Sequence, residues 1–100
     1  MSELALRRIA ENKRETVTAL HLANSNLKRL PQELSDLKHL KVLILKDNKS
    51  LSDLSILSSL KNLLILDASN TKIKDLSPLK ELNSLQQLDI CNTPVQELLP

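Results

Sequence analysis

The chain has 100 residues, 41% of them hydrophobic and 26% charged, with a formal net charge of +2. That balance fits one globular domain; it excludes a disordered or membrane-embedded chain and gives no electrostatic footprint for nucleic acid. Leucine supplies 25 positions while Phe, Tyr, Trp and Gly are absent, so the core must repeat one packing solution, and platforms for base stacking are missing.

The first element is an expected helix over residues 3–13, inside a capping segment spanning 1–16. Ser2 is a suitable N-cap and Glu3 a favourable first-turn charge. Leu6, Ile9 and Ala10 form an apolar stripe at helical spacing, expected to lie over the open N-terminal end of the first coil. Arg7, Arg8, Lys13 and Arg14 make this end mildly basic, either as a solvated helix face or as a docking site for phosphate or an acidic partner. The opening stretch is too charged for a signal peptide, and no apolar run reaches the length of a membrane span. Cys91 is the single cysteine, so no internal disulfide forms. A reducing cytoplasm is the expected location, with export by a non-classical route left open.

From residue 17 onward the chain repeats itself. The segments VTALHLANSNL, LKVLILKDNKSL, LLILDASNTKI and LQQLDICNTPV share one template, with central leucines at Leu20, Leu43, Leu66 and Leu88. Two positions later stand Leu22, Leu45, Ala68 and Ile90; three positions earlier stand Val17, Leu40, Leu63 and Leu85. Leucines two apart point to one face of a short strand. Between strands, leucines recur every third residue, as in Leu51, Leu54, Leu57, Leu60 and Leu63, and again from Ile73 through Leu76, Leu79 and Leu82 to Leu85. That period suits 3₁₀ turns, which stack side chains at i and i+3. Each coil aims its leucines inward, and only its neighbours can cover them. The expected fold is an α/β solenoid of three full coils and a partial fourth over 17–100, with a short parallel sheet, a 3₁₀ return side and an N-terminal capping helix.

Over residues 17–98 the pattern resembles that of the leucine-rich repeat family, LxxLxLxxNxL. Coils two and three, with DLSILSSLKNL and DLSPLKELNSL, are similar to the internalin class of about 22 residues. Coil one, with LKRLPQELSDLKHL, looks like the longer class carrying LPxxL. The family's Asn column departs from its pattern here, holding Ser25, Asn48, Thr71 and Thr93. One hydroxyl satisfies fewer backbone groups than an amide. Asn24, Asn70 and Asn92, with Asp47, fill the column before it, to stabilise the loop or to meet a ligand. Coil two carries one extra residue around Lys49 and Ser50, expected as a small bulge. Without Gly, no turn is expected to need a strongly left-handed backbone.

The resemblance places the strands on a concave side. Its outward columns are Ala19, Val42, Ile65 and Gln87; His21, Ile44, Asp67 and Asp89; and Ala23, Lys46, Ser69 and Cys91. Thr18, Lys41, Leu64 and Gln86 lie further back. Val42, Ile44 and Ile65, with Leu64 and Ala19, are expected as an exposed apolar patch ringed by Lys41, Lys46, Asp67, Asp89 and His21. An apolar centre with a charged rim suits a protein partner; the competing reading is plain β-propensity.

Chemistry is not signalled. His21 and His39 fall in different parts of their coils and do not converge with Cys91 for nucleophilic catalysis. Metal-ligand spacing and phosphate-cradling glycines are missing, and no cofactor is implied. Asp67 and Asp89 neighbour each other across coils, but a wet concave sheet gives no cleft to desolvate a carboxylate dyad. At the far end, Leu88, Ile90, Val95 and Leu98 form an apolar edge without a cap. Self-association, a continuing chain or a folded-over tail would each answer it. The expected function is a protein-interaction module with no membrane or nucleic-acid partner; a structural or self-assembling element, such as a homodimer, is the alternative. The family also places such repeats beside ligase or GTPase domains, for which these residues have no room.

Overall fold

The computed structural model describes residues 3–96. Helix α1 (Glu3–Glu15) is followed by four strands, β1 (Ala19–His21), β2 (Val42–Ile44), β3 (Ile65–Asp67) and β4 (Gln87–Asp89). Three 3₁₀ segments, Gln32–Asp36, Ser55–Ser59 and Ser77–Leu79, make the return paths. The strands lie parallel in one sheet, in chain order. Register pairs Leu20 with Leu43, Leu43 with Leu66 and Leu66 with Leu88, so the central leucine column of the sequence is the register of the sheet.

The period of three on the return side has a backbone cause. The N–H of Leu57 donates to the carbonyl of Leu54, Leu60 to Leu57 and Leu63 to Leu60, at 2.9–3.1 Å. The same chain runs from Pro31 through Leu34 and Leu37 to Leu40, and from Leu76 through Leu79 and Leu82 to Leu85. Each leucine thus closes its own backbone bond while its side chain stacks inward. Leu51, Leu54, Leu57, Leu60, Leu63 and Ile73 are all buried. The Asp53 carboxylate accepts the Ser55 N–H at 2.8 Å, and Asp75 accepts Ser77 at 2.9 Å, opening two of the return segments. Those amide bonds, with help from the serine side chains, hold both carboxyls below the usual carboxylate range.

Several expectations need correction. The inward face of α1 is Ala5, Ile9 and Asn12. Leu6 is 37% exposed and Ala10 is exposed as well, because the contact line follows i, i+4, i+7. The helix also runs two residues past its expected end. Val17 stands in an inward column yet is 51% exposed; the chain enters coil one through Thr16 at φ 51°, so this position does not repeat its equivalents. The expected absence of left-handed turns fails outright. Thr16, Asn24, Asn26, Asp47, Asn70 and Asn92 all have φ between 50° and 65°. Four of these are the column before the Asn column, and Asn and Asp tolerate that region best after Gly.

Asn48 is the best-bonded side chain of the turns. Fully buried, its Oδ1 accepts the N–H groups of Ser25 and Leu27, both at 3.0 Å. Its Nδ2 donates to the carbonyls of Leu22 at 3.0 Å and Leu45 at 2.8 Å. Ser25, Thr71 and Thr93 each make one hydroxyl bond, to Ala23, Ala68 and Ile90. The extra residue in coil two removes one of the two demands that Thr71 would otherwise face. Leu27 needs the next coil's amide, whereas Leu51 donates to the Asn48 carbonyl within its own turn at 3.0 Å. Lys49 and Ser50 sit exposed on that widened turn.

The core thins toward the last coil. Leu85 and Val95 are only partly buried against it, Leu88 is 38% exposed, and all of β4 is exposed. Ser2, Leu98, Leu99 and Pro100 lie outside the described residues.

Candidate functional site

Register aligns the outward columns into two rows. One runs Ala19, Val42, Ile65, Gln87; the other His21, Ile44, Asp67, Asp89. Val42 and Ile65 are therefore direct neighbours across β2 and β3, and Ile44 stands between His21 and Asp67. These apolar side chains are less open than expected. Val42, Ile44, Leu64, Ile65 and Ala19 are half-buried, not exposed, because neighbouring strands shield each other's side chains on a packed pleated face. Lys41, Lys46, His21 and Asp89 around them are exposed, and Asp67 is half-buried.

The acidic end of the second row is internally ordered. Asp67 Oδ1 accepts both the N–H and the hydroxyl of Ser69, at 3.0 and 2.7 Å. Asp89 Oδ1 accepts the Cys91 N–H at 3.0 Å. That amide bond, then the thiol and the charge of Lys46, hold Asp89 below the usual carboxylate range. The causes of that shift are the Cys91 amide and thiol and Lys46, with no neighbouring carboxylate among them, so Asp89 reads as an ionised surface group. Cys91 is correspondingly pushed up, first by its bond to Asp89 and then by that carboxylate's charge, which makes it a poor thiolate nucleophile. His21 is on β1 and Cys91 follows β4, with two strands between them.

The column of Asn24, Asp47, Asn70 and Asn92 is structural in three of its members. Asn92 donates to the Asn70 side-chain oxygen, and Asn70 donates to Asp47 Oδ1 at 2.6 Å. A side-chain ladder thus runs beside the sheet.

Sequence reasoning missed the clasp between α1 and the sheet. Asn12 Nδ2 donates to the carbonyls of Val17 and Ala19 at 3.0 and 3.1 Å, its Oδ1 meets His39 Nε2 at 2.6 Å, and Arg8 donates to the His21 carbonyl at 3.0 Å. A polar residue on the inward stripe was the available signal. The other basic residues are solvated: Arg7 and Arg14 are exposed, and Lys13 meets Asp36 at 3.4 Å on the surface. Among the described residues no His, Cys, Asp and Glu cluster could hold a metal ion, and no helix is long and apolar enough to cross a membrane.

Parallel three-residue strands, leucine-stacked 3₁₀ returns and a single N-terminal helix define an internalin-like leucine-rich repeat solenoid. Two solved structures from Listeria monocytogenes strain 4b F2365 are similar to it. An internalin (inlF) is 27% identical over 88% of this chain with a TM-score of 0.76, and internalin C2 (inlC2) is 33% identical over 82% with a TM-score of 0.76. The chain spans 25% and 35% of those two proteins. No family model and no curated protein matches it.

Proposed function

We propose that this chain is a non-catalytic protein-interaction module whose partner protein lies on the concave face over Val42, Ile44, Leu64 and Ile65. The observation that carries this reading is the register. It sets Val42 beside Ile65 and Ile44 at the centre of the second row, with Lys46, Asp67, Asp89 and His21 around them. Apolar contact at the centre supplies affinity, and the charged rim sets orientation and rate. The internalin-like fold supports a role in protein interaction. Without Trp or Tyr on the face, strong anchors are few, so affinity should be moderate.

The test compares wild type with Ile44→Glu/Ile65→Glu as bait in a lysate of the source cells, with identification and calorimetric titration of the recovered protein. The expected result is binding by the wild type, at least tenfold weaker binding by the double variant, and unchanged circular dichroism. Equal binding by both would sink the site assignment.

A further inference from the structure

The turns differ in how their buried N–H groups are paired. In coil one the N–H groups of Ser25 and Leu27 converge on one atom, Asn48 Oδ1, at 3.0 Å each. Coil three repeats that turn. Asn70 has the left-handed backbone of Asn24, at φ 55° and 50°. Its N–H reaches the Cys91 carbonyl of the next coil at 3.0 Å, as Asn24 reaches Lys46 at 2.9 Å. Thr71 and Ile73 therefore stand where Ser25 and Leu27 stand in coil one. Both are buried, at 4% and 0% exposure.

The ladder residue of the following coil is here Thr93, not asparagine. Its hydroxyl donates to the Ile90 carbonyl at 2.7 Å, and the Thr71 hydroxyl donates to Ala68 at 2.7 Å. Among the described residues no oxygen accepts the N–H of Thr71 or of Ile73. A threonine side chain ends one atom short of the place where asparagine carries its amide oxygen. Coil two makes a smaller demand, because the Leu51 N–H turns to the Asn48 carbonyl of its own turn. Coil three thus brings two buried donors together with nothing in the protein to receive them. Buried N–H groups are almost always paired, with protein or with ordered water.

We propose that coil three is bracketed by a single ordered water, its oxygen standing where Asn48 Oδ1 stands in coil one. The water accepts from the N–H groups of Thr71 and Ile73. It donates to Thr93 Oγ1, whose lone pairs are not used by its own bond to Ile90. Three polar partners are the usual number for a buried water. A surface hollow of about 200 Å³, lined by Lys49, Asn70, Thr71, Lys72 and Asn92, lies at the same turn and gives solvent a short route in. An ordered water gives up freedom that a side-chain amide, tied to its chain, has less of to lose. This bracket is therefore weaker than Asn48, and it exchanges with solvent.

The test is a crystal structure of the full chain at a resolution that shows ordered solvent, paired with oxygen-17 relaxation in solution. Wild-type crystals should show a well-ordered water within about 3.2 Å of both nitrogens and of Thr93 Oγ1. In Thr93→Asn the amide oxygen should take that place and the water should be gone, and relaxation should count one long-lived water fewer than in wild type. The wild-type crystals decide the matter alone if the variant does not fold. A dry turn there, or either N–H bonded directly to Thr93 Oγ1, would overturn the inference. So would an unchanged count of long-lived waters in a Thr93→Asn protein whose amide is seated on both N–H groups.

Discussion

Replacing Asn48 with alanine removes four buried hydrogen bonds at once, and the structure says which of them matter. The amide oxygen is the partner of the Ser25 and Leu27 N–H groups, and both residues are buried. A buried donor left without a partner costs about 1–3 kcal/mol, so the two together cost roughly 2–6 kcal/mol before the small void is counted. A domain of this size is stable by about 5–15 kcal/mol. Urea denaturation followed by circular dichroism should therefore show a large fraction of the total lost. The melting temperature should drop by roughly 4–8 °C for each kcal/mol. Asn48→Thr gives the sharper comparison. Threonine can copy Thr71, which bonds the carbonyl three residues back, but it leaves Ser25 and Leu27 unpaired. It should recover about 1 kcal/mol at most relative to alanine. A loss below about 1 kcal/mol for Asn48→Ala, or near-complete recovery by threonine, would refute the argument that this amide brackets coil one.

Asn12→Leu keeps the bulk of the side chain but frees the Val17 and Ala19 carbonyls and the His39 nitrogen. It should cost roughly 2–4 kcal/mol, and hydrogen exchange should show α1 and β1 opening ahead of the other coils; uniform protection would contradict the clasp. At Asn24 the left-handed backbone, φ 50°, predicts near-neutral Asn24→Gly and a loss of about 1–2 kcal/mol for Asn24→Val, read from urea midpoints. Acid should destabilise the fold through Asp53 and Asp75. Both folded pKa values lie below the unfolded value of 3.8, so their contribution is complete above that value and is lost as pH falls through the lowered ones. Asp53→Asn/Asp75→Asn should flatten the fall in urea midpoint as pH drops below the unfolded value of 3.8; an unchanged slope would show that other carboxylates carry it.

Much of the architecture is legible because each coil repeats one calculation. Leu20, Leu43, Leu66 and Leu88 announce the register, and the period of three from Leu51 to Leu63 announces the 3₁₀ returns. What escapes is whatever a repeat does once. Asn12 belongs to no column, so its bonds across the sheet edge leave no periodic trace. The left-handed turns are hidden from a search for glycine, because Asn and Asp at Asn24, Asp47, Asn70 and Asn92 carry the same conformation. On the concave face the columns locate Val42, Ile44 and Ile65 on adjoining strands, but pattern alone does not show how far neighbours shield them. The linkage between the extra residue near Lys49 and the Thr at position 71 needs coordinates, since it depends on which carbonyl the Leu51 N–H reaches.

The chain carries its own probes for the central proposal, because its six isoleucines are spread over separate parts of the fold. Ile9 is in the capping helix, Ile44 and Ile65 are on the concave strands, Ile56 is on the return side, Ile73 is in the core and Ile90 comes just after the edge strand. The most direct measurement is a titration of methyl-labelled chain with the captured partner, read by nuclear magnetic resonance. Binding across the concave face predicts that the Ile44 and Ile65 methyls shift or broaden first and furthest, while Ile9 and Ile56 stay in place. Shifts confined to Ile56, to Ile9 or to Ile90, with Ile44 and Ile65 unmoved, would contradict it.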